Sequence, residues 1–223
     1  MTTKRISLIQ SVMAADERFA SRIRSMMAER GILLLNLIGS PGAGKTTLLE
    51  ETLKRCRFRA AVIEGDVATA RDAERIASCG VPVIQINTRG GCHLEANLVL
   101  RAIENLELEK VDVLFIENVG NLVCPAEFDL GEDLKIAVCS MAEGADKPLK
   151  YPHLFHTCGA VVLTKKDLFP YIRFDRDLFW KDVETLNARA EKFEVDNLSG
   201  DGIAAWLDRV ETWLRQKREQ KRA

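Results

Sequence analysis

Ile32-Leu33-Leu34-Leu35-Asn36-Leu37-Ile38-Gly39-Ser40-Pro41-Gly42-Ala43-Gly44-Lys45-Thr46 decides the fold. The nearly unbroken apolar run from Ile32 to Ile38 predicts a strand buried on both faces of a parallel sheet. It leads directly into Gly39-Ser40-Pro41-Gly42-Ala43-Gly44-Lys45-Thr46, a glycine-rich loop, and then into a helix from Thr46. Glycines let backbone N–H groups turn inward to cradle phosphate oxygens, and the helix start adds the positive end of its dipole. Gly42, Ala43, Gly44, Lys45, Thr46 and Thr47 are therefore the candidate phosphate-side contacts. Lys45 is expected to reach the β- and γ-phosphates, and the Thr46 hydroxyl to bind Mg²⁺.

Outward from this loop, strands and helices alternate. Strands are expected at Ala60 to Ile63, Val83 to Ile86 and Val111 to Glu117, and helices from Thr69 to Ser78 and from His93 to Leu106. Further strands fall near Leu134 to Cys139, Ala160 to Thr164 and Lys192 to Val195, with a closing helix from about Gly202 to Lys217. Leu8, Val12, Phe19, Ile23 and Met26 recur at helical spacing, so an amphipathic helix is expected from Ile6 to Met27, covering one end of the sheet. The pattern predicts an α/β fold: a doubly wound, mostly parallel sheet with helices on both faces, preceded by an N-terminal helix. No linker or repeat interrupts it, and 223 residues fit a single P-loop domain, residues 1–223, with 1–30 as its helical extension.

The balance of 32 basic and 33 acidic residues, net charge -1, gives no overall field for nucleic acid or an anionic membrane. No stretch approaches the roughly 20 apolar residues that cross a bilayer, so the expected location is the cytoplasm. The basic tail from Arg215 to Arg222 reads as a solvated helix end that complements the dipole. Six cysteines lack the spacing of a disulfide scaffold. Cys56, Cys79, Cys139 and Cys158 stand in or beside apolar stretches and are expected to be buried; Cys92 and Cys124 do not.

Open α/β sheets bind ligands at the carboxyl ends of their strands, and two acidic residues fall there. Asp66 follows the strand ending at Ile63, and Glu117 ends Val113-Leu114-Phe115-Ile116. Glu117-Asn118-Val119-Gly120 has the spacing of the Asp-x-x-Gly switch of GTPases, so Glu117 can hold Mg²⁺ directly or through water, with Thr46 and Asp66. Asp72 is open between three roles: Mg²⁺, the attacking water, or a solvated helix carboxylate. Thr164-Lys165-Lys166-Asp167, after the strand Val161-Val162-Leu163, matches the guanine-reading pattern [Asn/Thr]-Lys-x-Asp. The Asp167 carboxylate would accept from the N–H groups that adenine lacks, and the Lys165 stem would pack on the ring. Finally, Cys92, His93 and Cys124 offer thiolate and imidazole, donors suited to Zn²⁺ or Ni²⁺ rather than Mg²⁺. Adjacent residues diverge in regular structure, so one ion held by both Cys92 and His93 needs a loop or a site shared between two chains.

With these residues in place, the chain resembles the hydrogenase nickel-incorporation GTPases, the HypB family, along nearly its whole length. The likeness is carried by the glycine loop, Glu64-Gly65-Asp66 through Arg75, Gly91-Cys92-His93-Leu94, Glu117-Asn118-Val119-Gly120-Asn121-Leu122-Val123-Cys124-Pro125-Ala126 and Lys147-Pro148-Leu149-Lys150-Tyr151-Pro152. The resemblance implies a GTPase that dimerises with GTP bound and binds nickel or zinc at the subunit interface through Cys92, His93 and Cys124. It further implies a metallochaperone partner and a [NiFe]-hydrogenase precursor as recipient. The N-terminal cysteine motif and histidine-rich stretch of many members are missing: the first cysteine is Cys56, and the histidines are His93, His153 and His156. Arg89 stands where glycine is usual, Glu95 where aspartate is common, and Asp196-Asn197 where GTPases carry a Ser-Ala pair beside the base.

No water-orienting glutamine or arginine finger is evident, so slow turnover is expected, well below about 10 s⁻¹. Two rival readings are a urease-type nickel GTPase, whose switch and metal motifs differ from Glu117 to Cys124, and a nucleotide-gated metal-binding module with incidental hydrolysis. A cobalamin-enzyme GTPase chaperone would give no reason for the Cys/His set.

Overall fold

The computed structural model describes residues 8–66 and 71–222, with side chains from residue 16 onward. The amphipathic helix expected from Ile6 therefore begins outside the described residues, as does the start of the helix expected at Thr69. Seven strands form one sheet: β1 (Leu33–Ile38), β2 (Ala60–Asp66), β3 (Val83–Asn87), β4 (Val113–Glu117), β5 (Leu134–Ser140), β6 (Ala160–Thr164) and β7 (Glu191–Glu194). Their order is β3-β2-β4-β1-β5-β6-β7, and every pairing is parallel. Central β1 is buried at all six positions, as its two-sided apolar run requires.

Alternate residues of the strands feed opposite layers. Leu33, Leu35, Leu37, Val62 and Phe115 pack with α2 (Lys45–Arg55) and α9 (Ile203–Arg222), the latter through Trp206, Val210 and Trp213. Leu34, Ile63, Leu114 and Ile116 face α1 (Leu8–Arg30) and α4 (Ala96–Ile103). Ala137, Cys139, Val161 and Leu163 face α7 (Pro152–Thr157) and α8 (Arg176–Leu186). The helix α3 (Arg71–Ala77) adds Ile76 to the first layer.

Four expectations need correction. The N-terminal helix covers a face of the sheet, not an end, and its buried stripe is Ala20, Ile23 and Met27, with Phe19 37% exposed. α4 begins at Ala96, not His93, because the Asp16 carboxylate of α1 accepts from Ala96 N at 2.8 Å and fixes the start of the helix. β2 runs on to Asp66, which puts Glu64 inside the strand. Cys139 and Cys158 are buried, and burial pushes the Cys158 thiol up to about 12; Cys56 and Cys79 are only partly covered. α8 and the short helices α5 (Cys124–Glu127) and α6 (Lys147–Lys150) were not anticipated. For α8 the signal was present: the Asp175 side chain accepts from Leu178 N at 2.9 Å, and Phe179, Val183 and Leu186 follow at helical spacing.

Candidate functional site

The loop between β1 and α2 lies where the sheet's connections diverge. From β1 the chain leaves toward β2 and β3, whereas from β4 it crosses to β5 on the other side of β1. A crevice at such a point is the usual ligand position of an open parallel sheet. Here a cavity of about 530 Å³ is lined by Gly42, Gly44, Lys45, Thr46 and Thr47 from the loop and helix start. Glu64, Asp66, Asp72, Arg75 and Glu117 through Gly120 close its other walls.

Backbone geometry explains the glycines. Gly42 and Gly44 hold φ of +75° and +92°, where a side chain is strained. A Cβ at Gly39 would stand 2.3 Å from Val138 O, and one at Gly120 would meet Pro41 Cγ at 2.9 Å. The loop is thus pressed between β5 and the segment after β4. Lys45 is buried, donates to Gly39 O at 3.2 Å and Ser40 O at 3.3 Å, and loses basicity through that burial. An ammonium held by carbonyls alone is ready to exchange them for phosphate oxygens.

Thr46 Oγ1 donates to Glu117 Oε1 at 2.8 Å, while the buried Glu117 Oε2 has no partner among the described residues. Glu64 was missed by sequence reasoning. It is opposite Glu117 in the β2–β4 register, is buried, and its Oε2 is likewise unpartnered. Burial, reinforced by the carboxyls of Glu117 and Asp66, pushes Glu64 up to about 8. Burial pushes Glu117 up to about 7, although Lys45 and Thr46 pull the other way. Oxygen donors of high charge density with orphaned buried atoms fit a hard divalent cation such as Mg²⁺. Asp72 stands in the first turn of α3 and pairs with Arg75 at 3.1 Å; Arg75 also reaches Glu50 at 2.6 Å and Thr47 Oγ1 at 3.2 Å.

These raised carboxyls set a pH dependence. Both ordinary values lie near 4.5, so between that pH and about 8 the folded protein binds more protons than the unfolded chain. Their favourable contribution is complete below the unfolded value and is lost as pH rises through about 7 to 8. The nucleotide-free, metal-free protein should melt lower at pH 8.5 than at pH 6.5, and Glu64→Gln should flatten that dependence. Thermal unfolding followed by circular dichroism checks it; a slope unchanged in Glu64→Gln would refute the assignment to Glu64.

At the β6 end, Thr164 is fully buried. Its hydroxyl contacts Ala43 O at 2.6 Å and Cys139 O at 3.2 Å, so it anchors the loop. Lys165 has φ +58° and its Nζ donates to Gly42 O at 2.8 Å, laying the stem across the loop. Asp167 follows two residues further along, half-buried.

Cys92 and His93 lie on the loop between β3 and α4, and Cys124 opens α5. One donor atom from each lies within 4.8 Å of the others, so this loop brings together in one chain what a helix would have separated. Donors on a tetrahedral ion bound at ~2.3 Å stand about 3.8 Å apart, and the Cys92 Sγ to His93 Nδ1 separation is 3.5 Å. The His93 ring stacks on Phe128, centroids 3.8 Å apart, and burial lowers its pKa, favouring the neutral imidazole that binds metals. Arg89, at the position read as usually glycine, takes φ +50° just before this loop. Two asparagines tie the loop to the segment after Glu117: Asn118 Oδ1 accepts from Leu94 N at 3.2 Å, and Asn121 Nδ2 donates to Cys92 O at 3.2 Å.

Taken together, the parallel sheet, the glycine loop opening a helix and the convergent carboxylates define a P-loop nucleotide-binding protein. The nucleotide-binding domain described as CobW/HypB/UreG matches residues 33–194. HypB of Escherichia coli K12, a hydrogenase maturation factor, is 49% identical over 203 residues, 90% of this chain and 70% of that protein. The hydrogenase/urease maturation factor HypB of Helicobacter hepaticus is 38% identical, over 99% of this chain and 91% of its own length. The crystal structure of HypB from Helicobacter pylori in complex with nickel superposes with a TM-score of 0.87 at 36% identity, covering 93% of this chain and 97% of that one. The chain belongs to the HypB family of hydrogenase maturation factors. Among the described residues no helix is long and apolar enough to cross a membrane.

Proposed function

We propose that the chain is a GTP-hydrolysing accessory protein that delivers nickel to a [NiFe]-hydrogenase precursor, receiving the ion from a metallochaperone and dimerising when GTP is bound. The observation that carries this reading is physical continuity. One segment, Glu117 to Cys124, begins at a carboxylate bonded to Thr46 of the phosphate loop and ends at a thiol of the Cys92–His93–Cys124 cluster.

Thr46, Asp66 and Glu117 would hold Mg²⁺, which when bound offsets charge on the β- and γ-phosphates. Lys45 leaves its two carbonyl partners for phosphate oxygens, and the N–H groups of Gly42 to Thr47 orient the chain of phosphates. Asp72, paired with Arg75 at the crevice wall, would serve Mg²⁺ or the attacking water. The Asp167 carboxylate and Lys165 stem take the guanine, with Thr164 holding the loop beneath. Loss of the γ-phosphate relaxes Glu117 to Gly120, and the Asn118 and Asn121 bonds carry that change to Cys92 and Leu94. Nickel, or zinc in its place, is the cargo of Cys92, His93 and Cys124. The likeness to the hydrogenase/urease maturation factor of Helicobacter hepaticus supports urease as a second recipient.

Base selectivity tests the nucleotide half of this reading. A carboxylate left unpaired by adenine should cost several kcal/mol, so phosphate release from GTP should exceed that from ATP by at least about 100-fold in kcat/KM. A malachite-green assay with Mg²⁺ checks it, and comparable turnover of ATP would overturn the assignment of Asp167. The GTP rate itself is expected to be slow, below about 10 s⁻¹.

A further inference from the structure

Asn36 interrupts the apolar run of β1 and is fully buried there. An amide in such a place costs free energy unless its polar atoms are paired. Its partners come from the segments on either side of β1. Asn36 Nδ2 donates to Glu132 Oε1 at 3.2 Å, just before β5, and Asn36 Oδ1 accepts from Asn118 Nδ2 at 3.2 Å, just after β4. Asn118, also buried, turns its own Oδ1 to Leu94 N at 3.2 Å and Val119 N at 3.0 Å. The far end is fixed as well: the Glu132 side chain is 4% exposed, and its Oε2 accepts from Leu130 N at 2.6 Å.

These partners allow the two amides one orientation. Reversing Asn36 would set its oxygen against the Glu132 carboxylate and its NH₂ against that of Asn118. Reversing Asn118 as well would turn its NH₂ toward two backbone N–H groups. Glu132 and Asn36 therefore determine that Asn118 presents an acceptor to Leu94. Leu94 directly follows His93 of the metal cluster and is held a second time. Its fully buried side chain is seated on Gly65 of β2, where an added Cβ would lie 2.8 Å from Leu94 Cγ. Gly65 and Asn118 both line the nucleotide crevice, so the residue beside His93 is clasped between two of its walls.

We propose that Asn36 and Glu132 are positioning residues for the metal-bearing loop: they hold Asn118 in the orientation that grips Leu94, and so set how strongly the nucleotide state is transmitted to nickel. Neither residue lines the crevice or belongs to the Cys92–His93–Cys124 cluster. This role rests on the nucleotide-driven nickel delivery proposed above and names interior residues that carry it.

Nickel affinity of the full chain, measured by competition with a chromophoric chelator in Mg-GDP and in a non-hydrolysable Mg-GTP analogue, tests it. In the unaltered protein the two affinities should differ by at least about fivefold. Asn36→Ala and Glu132→Gln should each bring them to within about twofold of one another, with GDP binding in the absence of nickel unchanged. Glu132→Gln keeps the size of the side chain, but its NH₂ must face either Asn36 Nδ2 or Leu130 N, so it breaks the line without opening a cavity. Either variant that folds and keeps the full difference overturns the proposal, whatever its melting temperature, because a merely structural role would change stability alone. Equal nickel affinity with both nucleotides in the unaltered protein would instead sink nucleotide-driven delivery itself, and this role with it.

Discussion

Lys45→Ala protein should release phosphate from GTP about 100- to 1000-fold more slowly than the unaltered chain, while remaining folded. The rate loss follows from removing a cation expected to reach the β- and γ-oxygens, where charge develops in phosphoryl transfer. The unchanged fold follows from a different observation. Burial lowers the Lys45 pKa, and among the described residues its hydrogen bonds are two long ones to carbonyls, so the ammonium contributes little to holding the fold together. Single-turnover hydrolysis and a melting curve on the same sample separate the two effects. A rate within about fivefold of normal would contradict the role given to Lys45.

Cys124→Ala should lower nickel affinity by at least about 100-fold and leave nucleotide affinity nearly intact. Three soft or borderline donors within 4.8 Å become two, and even indirect partners of a metal ligand are worth tenfold or more. Cys92→Ala should behave alike, whereas Cys79→Ala, whose thiol lies outside the cluster, should not. Equilibrium competition against a chromophoric chelator measures each. Normal nickel affinity in Cys124→Ala would remove that thiol from the site.

Much of this arrangement was readable from residue order. β1, β4 and β6 are apolar runs of the length buried parallel strands require, and the glycine loop between β1 and α2 declares its conformational needs in Gly42 and Gly44. The position of Asp66 was read, but Glu64 was overlooked because its strand was ended too early. A two-residue alternation would have found it, since Val62, Glu64 and Asp66 share a face with the α2 layer. Other features depend on contacts between distant segments. Nothing local marks the cap that Asp16 provides to α4, which frees Cys92 and His93 to lie on a loop, or the stacking of Phe128 on His93. The asparagine ties from Asn118 and Asn121 to the metal-bearing loop likewise appear only when β3 and β4 are set on either side of β2.

Nickel bound per chain, determined with GDP and with a non-hydrolysable GTP analogue while mass is followed by light scattering in the same samples, tests coupling between the two sites most directly. A dimer is expected with the analogue, a monomer with GDP, and nickel binding that differs between them. Mass and nickel binding indifferent to the nucleotide would leave a GTP-binding protein and contradict nucleotide-driven delivery of the metal.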